Sequence, residues 1–182
     1  IARYDMISIT KQICDLFVDW IAMNNVEFHI NTQTSVLWAW IDRRKMEFAL
    51  RVLLSNALKN TYRFGKISIN ISVVRSNGKA YCSFSIQDDG LGESESTRLG
   101  LKQIVDMTES SGAIFEGISS EDETGTQYTI LIPLGRSHYM ERAVEFIEPD
   151  GDLVKLNEMQ KEEIAELIQV LPRKKETGKK ML

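Results

Sequence analysis

Two alternating segments in the middle of the chain predict a β-hairpin, which constrains the fold more than any other feature. In "GKISINISVV" the apolar residues at 67, 69, 71 and 73 alternate with polar ones. In "KAYCSFSIQ" the same holds for positions 80, 82, 84 and 86, and the intervening "RSNG" is a turn sequence. Successive side chains of a strand point to opposite faces of the sheet, so this pattern predicts two antiparallel strands with one buried face.

The flanking segments predict helices and further strands. Apolar residues at helical spacing predict helices at 8–24, with Ser8 as the N-cap, at 43–60, capped by Asp42, and at 99–111, stopped by Gly112. The segments "VEFHI", "VLWAWI", "AIFEGIS" and "TQYTILIP" predict strands, the last two forming a second hairpin. This order predicts an α+β protein, a two-layer sandwich with a mixed sheet and helices packed on one face.

The character of the sequence changes after residue 134. Residues 1–134 are predicted to form the domain, and residues 135–182 a linker with one amphipathic helix at about 153–171. A length of 182 residues suits one domain with an appendage. The chain begins with Ile rather than Met, which predicts that it is a piece of a longer protein.

Composition and charge exclude several classes of function. The chain has 22 Lys and Arg against 26 Asp and Glu, a net charge of -4, which argues against a nucleic-acid-binding surface. Its two cysteines form no CxxC or Cys/His cluster, which favours reduced thiols in the cytosol over a disulfide framework. No apolar run approaches the length of a membrane span.

The residues that end the first hairpin could bind a ligand. Asp88 and Asp89 close the second strand, and Gly90 and Gly92 follow. A carboxylate at that position can accept a hydrogen bond from an amino group on a flat ring, and glycines lack the Cβ atom that would hold the ring away. A plain acidic β-turn is the alternative explanation.

Three other segments contain residues that could bind a metal ion or an anion, and each also has a structural explanation. Asn56 and Lys59 lie on one face of the second predicted helix, where an amide oxygen can ligate Mg²⁺ and an ammonium can contact a phosphate. A solvated polar face would also explain them. Gly100 lies at the predicted start of the third helix, where free N–H groups favour an anion, although a flexible loop-to-helix transition would also explain it. Gly125 and Thr126 precede the last strand, where a hairpin turn is the structural alternative.

The order of these motifs resembles the ATP-binding catalytic domain of sensor histidine kinases, in the superfamily that includes gyrase B, Hsp90 and MutL. A helix with N-A-x-K, a hairpin ending D-x-G-x-G, a helix opening L-G-L and a G-T before the last strand follow one another over about residues 5–134. The resemblance implies the Bergerat-type ATP-binding fold, with ATP and Mg²⁺ as ligands. It also implies that Asp88 accepts from the adenine amino group and that Gly90 and Gly92 admit the ring.

The same resemblance implies roles for the remaining positions. Asn56 would ligate Mg²⁺, Lys59 would contact a phosphate, Gly100 and Leu101 would offer backbone N–H groups near the phosphates, and Thr126 would complete the adenine pocket. The protein contributes to phosphoryl transfer mainly through positioning and charge neutralisation.

The implied activity is protein-histidine kinase, with the γ-phosphoryl group passing to a His on a separate dimerisation domain outside this chain. No catalytic residue is therefore expected within the chain, and an isolated fragment would be inactive alone. His29 and His138 lack the helical context of a phospho-acceptor. The tail after "IPLGRSHY" resembles hybrid sensor kinases of Bacteroides-type bacteria, which implies a following receiver domain, a homodimer, and a cytoplasmic domain of a protein anchored in the inner membrane.

The sequence departs from the family pattern at several positions. Val52 replaces a second Asn, Asn60 replaces an aromatic residue, and Arg98 replaces the first glycine of G-x-G. Only residues 93–97 stand where the family has a mobile lid, so the lid is either short, which we favour, or omitted from the sequence. The departures leave a degenerate, inactive scaffold domain as an alternative; an ATPase-driven clamp or an anti-sigma kinase is the third hypothesis.

Overall fold

The protein is a mixed β-sheet covered on one face by helices, as the sequence pattern predicts. The computed structural model describes residues 1–92, 95–110, 112–119, 125–139 and 145–147. Most of the linker predicted for 135–182, including the helix at 153–171, lies outside the described residues, as do residues 93 and 94 of the short lid. Within the described part, no helix is both long and apolar enough to cross a membrane.

The elements follow one another in an order close to the predicted one. They are β1 (Ala2–Asp5), α1 (Met6–Asp15), α2 (Val18–Met23), β2 (Glu27–Thr32), β3 (Trp38–Ile41), α3 (Arg43–Asn60), β4 (Lys66–Ser76), β5 (Lys79–Asp88), α4 (Glu95–Ser110), β6 (Ile114–Ser119) and β7 (Thr126–Pro133). A 3₁₀ turn at Arg136–Tyr139 follows.

Five strands form the main sheet in the order β2-β4-β5-β7-β6. The β4–β5 and β6–β7 pairs are the two predicted hairpins, and β2 runs parallel to β4, so the sheet is mixed. Helices α1, α3 and α4 and the inner face of this sheet enclose one apolar core. The alternation in β4 and β5 sets the register, because Ile69 and Ile86 are direct partners with both side chains buried.

The beginning of the chain differs from the prediction in two respects. Residues 2–5 form a strand that pairs with β3 in a separate two-stranded sheet, which the sequence did not indicate. The predicted helix at 8–24 is two helices, α1 and α2, and α1 begins at Met6 with Asp5 as its N-cap. Asp5 accepts from the backbone N–H groups of Ile7, Ser8 and Leu37, so it also ties α1 to the segment before β3.

The segment after β7 packs on the small sheet. Tyr139 is buried, and its hydroxyl donates to the carbonyl of Trp40 at 2.6 Å. The Arg136 guanidinium stacks on Trp40 at 3.9 Å, and Phe146 meets the same ring edge-on. The domain boundary at 134 stays a prediction, while the described residues just beyond it belong to the packed structure.

The predicted cap, Ser8, and the observed cap, Asp5, give a direct test of where α1 begins. We expect Asp5→Ala to lower the free energy of unfolding by about 2 kcal/mol, because three backbone donors lose their acceptor. Asp5→Asn keeps the Oδ1 acceptor used by two of the three donors and should cost less. Ser8→Ala should change stability by less than about 0.5 kcal/mol. Urea unfolding measures all three, and a larger loss from Ser8→Ala than from Asp5→Ala would contradict the observed helix start.

Candidate functional site

Asp88 is the last residue of β5 and lies on the helix-covered face of the sheet. In the strand ladders it stands between Ile67 of β4 and Thr126 of β7. Its side chain is 4% exposed, continuing the buried row that Phe84 and Ile86 begin. The alternation of β5 therefore directs a carboxylate into the edge of the core.

The environment of Asp88 is unusual for a carboxylate. Its Oδ1 atom accepts from the backbone N–H of Gly90 at 2.9 Å. Its Oδ2 atom is buried and has no hydrogen-bond partner among the described residues. Burial raises the pKa of Asp88 from 3.8 to about 7, the Gly90 N–H lowers it, and the neighbouring Asp89 charge raises it.

Asp89 stabilises the turn after β5 through hydrogen bonds to Lys66. It is exposed, its Oδ1 atom accepts from the backbone N–H of Lys66 at 2.8 Å, and its own N–H donates to the Lys66 carbonyl at 3.2 Å. This reciprocal pair joins the end of β5 to the start of β4. The structure thus separates the two acidic residues, since Asp89 holds the turn and Asp88 presents a carboxylate oxygen inside it.

Gly90 is required by a close approach of the turn to helix α3. A Cβ atom built on Gly90 would lie 1.8 Å from the carbonyl oxygen of Asn60, the last residue of α3. The next residue, Leu91, donates its N–H to the same oxygen at 2.9 Å. Gly92 adopts φ +79, which favours glycine. The admission of a ring by these glycines remains a prediction, and the contact with Asn60 was not visible in the sequence.

The residues before β7 complete the surroundings of Asp88. Gly125 donates its N–H to the Gly90 carbonyl at 2.8 Å, and a Cβ atom on Gly125 would lie 2.5 Å from the Asp88 carbonyl. Thr126 is 2% exposed, and its Oγ1 atom has no partner within the described part of the chain. The structure therefore brings Thr126 beside Asp88, and its part in an adenine pocket stays a prediction.

One face of α3 is directed towards α4 and the turn after β5. A Cβ atom on Gly100 would lie 3.4 Å from Val52 Cγ1 and 3.9 Å from Asn56 Nδ2. Asn60 follows Asn56 by four residues, so it continues the same row along the helix. The Nδ2 atoms of Asn56 and Asn60 are both buried, and neither has a partner among the residues that the structure describes.

Lys59 lies near this row and is half-buried. Burial lowers the pKa of its ammonium group. Its contact with a phosphate stays a prediction.

The structure corrects the prediction for Gly100 and Leu101. Helix α4 begins at Glu95, four residues before the predicted start at 99. A helix leaves only its first four N–H groups without an intrahelical partner, here those of residues 95–98. Gly100 and Leu101 lie beyond that turn, so their N–H groups are not the free donors that we expected. Gly100 instead faces Val52 and Asn56 of α3, where an added Cβ atom would make ordinary van der Waals contacts.

The described residues fit a bound nucleotide better than they fit a plain turn. A buried polar atom without a partner costs about 1–3 kcal/mol, and such atoms commonly belong to functional sites. Four of them surround the end of β5 and the facing row of α3, namely Asp88 Oδ2, Asn56 Nδ2, Asn60 Nδ2 and Thr126 Oγ1. Together they offer both an acceptor and donors, which suits a flat polar ring.

The fit to Mg²⁺ rests on fewer groups. Among the described residues there is no cluster of three or more His, Cys, Asp or Glu side chains that could hold a metal ion. A site with one amide ligand is compatible with Mg²⁺, because this ion keeps several waters and commonly takes its other ligands from substrate phosphates. Asn56 is the residue that would hold it.

Solved structures of histidine kinases share this fold. The catalytic domain of histidine kinase ThkA, in a nucleotide-free form, matches with a TM-score of 0.65 and 20% identity over 75% of this chain and 97% of that chain. The cytoplasmic segment of histidine kinase QseC matches with a TM-score of 0.58 and 12% identity over 73% and 78% of the two chains. Histidine kinase ThkA in complex with the response regulator protein TrrA gives a TM-score of 0.62 and 19% identity over 73% and 41%.

Sequence comparison adds nothing to this likeness, because no protein-family profile and no curated protein matches the chain. Identities near 20% establish the fold alone. The chain therefore has the α+β fold of histidine kinase catalytic domains, as the sequence predicted.

The contact between Gly90 and α3 predicts a strong steric effect. We expect Gly90→Ala to lower the free energy of unfolding by at least about 3 kcal/mol, because the new methyl group would overlap the Asn60 carbonyl. Gly78→Ala is the matched control: Gly78 also lies in a turn, at φ +74, but its Cβ atom would meet open space. Gly78→Ala should lower the free energy of unfolding by about 1 kcal/mol. Equal losses in urea unfolding would contradict the close approach at Gly90.

The burial of Asp88 predicts a stability that depends on pH. The folded protein keeps this proton up to about pH 7, whereas the unfolded chain releases it near pH 4, so the free energy of unfolding falls as the pH rises between these values. Asp88→Asn removes that effect and retains an acceptor for Gly90. We expect the variant to be more stable than the wild type at pH 8, by on the order of 2 kcal/mol.

The stability difference between Asp88→Asn and the wild type should shrink towards pH 4. Thermal or urea unfolding at several pH values measures it. A difference that stays constant from pH 4 to pH 8 would show that the Asp88 carboxyl is not the buried titrating group.

Proposed function

We propose that this chain is the ATP-binding catalytic domain of a two-component sensor histidine kinase, which donates the γ-phosphoryl group of Mg-ATP to a His on a separate dimerisation domain. The observation that carries the proposal is the buried Asp88 carboxylate, whose Oδ2 atom lacks a partner among the described residues. The shared fold with histidine kinase catalytic domains supports it.

In the proposed complex, Asp88 accepts a hydrogen bond from the adenine amino group, and Thr126 lies beside it at the wall of the pocket. Asn56 holds Mg²⁺ and Lys59 contacts a phosphate. The bound ion would neutralise charge on the phosphates during transfer. The residues of this chain bind and orient the nucleotide, and the phospho-acceptor His belongs to another domain, so the isolated chain would bind ATP without transferring its phosphoryl group.

The proposal extends to the longer protein that this domain would belong to. A response-regulator receiver domain is the expected phosphoryl acceptor after the His, and histidine kinase ThkA has been crystallised with such a regulator. We further propose a homodimer, a cytoplasmic position for this domain, an inner-membrane anchor elsewhere in the protein, and a hybrid kinase of the Bacteroides type. The resemblance of the sequence supports these extensions.

A catalytically inactive scaffold is the second candidate function. One residue of helix α3 favours it. Val52 occupies the position where the family has a second Asn, and it packs towards Gly100. The row therefore offers one amide ligand for Mg²⁺ instead of two. A domain of this kind would couple a sensor to its receiver without turnover.

The nucleotide site is tested by calorimetric titration with a non-hydrolysable ATP analogue, with and without Mg²⁺. We expect Mg²⁺-dependent binding to the wild type and a loss of about tenfold or more in Asp88→Asn, because a hydrogen bond to a charged group is removed. Asp89→Asn is the matched control, since its Oδ1 atom still accepts from Lys66, and it should bind almost as the wild type does.

Equal losses in the two variants would refute the assignment of Asp88. Failure of the folded wild type to bind would refute the kinase proposal and favour the scaffold. If the nucleotide binds, radiolabelled ATP with the longer protein separates the candidates, because only an active kinase forms an acid-labile phosphohistidine.

A further inference from the structure

Asn60 carries a buried side-chain amide whose nitrogen is used by no residue that the structure describes. It is the last residue of α3 and is 4% exposed. Its Nδ2 atom is buried and has no hydrogen-bond partner among the described residues. Burying an amide donor without a partner is unfavourable, so this atom calls for an acceptor from outside the described chain.

The end of α3 does not need the Asn60 side chain as a cap. Thr61 donates both its backbone N–H and its hydroxyl to the Ala57 carbonyl, at 3.0 and 2.6 Å. The Asn60 carbonyl accepts from Leu91 at 2.9 Å. The groups at the helix end are thus satisfied by Thr61 and by the turn after β5, which leaves the Asn60 amide nitrogen for another purpose.

Asn60 and Asp88 meet at the same turn. The Asn60 carbonyl lies against Gly90, and the Gly90 N–H donates to Asp88 Oδ1. One side of the turn therefore carries a buried acceptor, Asp88 Oδ2, and the other carries a buried donor, Asn60 Nδ2. An acceptor and a donor that lie at the same turn would complement a ligand that offers a donor next to an acceptor.

We propose that Asn60 is a second base-reading residue, whose amide nitrogen donates to a purine ring nitrogen next to the amino group that Asp88 accepts. The inference rests on the proposed binding of ATP and adds a specificity residue to it. Adenine offers an amino donor flanked by the acceptor nitrogens N1 and N7, whereas guanine has the O6 acceptor in place of that donor. Asp88 would thereby favour adenine over guanine, and Asn60 would add to that selection through N1, because N7 is an acceptor in both bases.

The test combines ligand analogues with a substitution of similar size. Calorimetric titrations would compare ATP, 7-deaza-ATP and 1-deaza-ATP, all with Mg²⁺, on the wild type and on Asn60→Leu. We expect the wild type to bind one of the two deaza analogues about fivefold more weakly than ATP, because one neutral hydrogen bond is lost. Asn60→Leu should bind ATP more weakly by a similar factor and should no longer distinguish that analogue from ATP.

A control and a folding check keep the result interpretable. Asn31→Leu removes an exposed amide that bonds to Asn70 on β4, and it should leave all three affinities unchanged. The melting temperature of Asn60→Leu shows whether it folds; if it does not, the wild-type comparison of ATP with the two analogues decides alone.

The possible failures are distinguishable. If the wild type binds ATP and loses it in Asp88→Asn, but binds ATP and both deaza analogues equally, the proposed function stands and the role of Asn60 is refuted. Discrimination that persists in Asn60→Leu would refute it as well. A folded wild type that binds no ATP would overturn the proposed function, and this inference with it.

Discussion

The contact between the turn after β5 and the end of α3 is the constraint on which the candidate site depends. The two backbones approach so closely at Gly90 and Asn60 that only glycine fits. The hydrogen bond from Leu91 to the Asn60 carbonyl fixes the same approach. Without this contact, the buried row of α3 and the buried end of β5 would not face one region. Gly90 thus allows the turn after β5 to pack against the end of α3, whether or not a ligand is bound.

The carboxylate held in that region destabilises the fold. Its pKa is raised to about 7 because burial disfavours the charged form. Binding sites commonly keep such unfavourable groups, because their cost is recovered when a ligand supplies the missing partner. Thr126, paired directly with Asp88, contributes a second buried oxygen of the same kind. The Nδ2 atoms of Asn56 and Asn60 on α3 add two buried donors that also lack a partner among the described residues.

The sequence predicted those parts of the fold that local patterns determine. Alternation in β4 and β5 identified the hairpin, and the side-chain parity of β5 also places Asp88, not Asp89, on the buried face. Local sequence patterns gave wrong predictions where contacts between residues far apart in the sequence determine the structure. The sequence predicted Ser8 as the cap of α1, whereas the structure has Asp5, which also accepts from Leu37.

Contacts between distant residues also explain which features of the candidate site the sequence did not predict. The polar residues 95–98 carry no apolar periodicity, so the true start of α4 was not visible, and the predicted role of Gly100 was wrong in its placement. The need for Gly90 comes from a residue 30 positions earlier in the chain, Asn60. Asn60 itself was recognised only as a departure from a family pattern, since the lack of a partner for its amide nitrogen among the described residues can be seen only in the packed structure.

The dipole of α3 bears on how the nucleotide would lie in the proposed complex. Helix α3 ends at Asn60, where its dipole is negative, and Asn56 lies about 6 Å further back along the axis. A neutral base near Asn60, with the phosphates towards Asn56, keeps the charged end of the nucleotide away from that negative pole. The polarity of α3 thus favours one orientation of the proposed nucleotide, with its base at the Asp88 end.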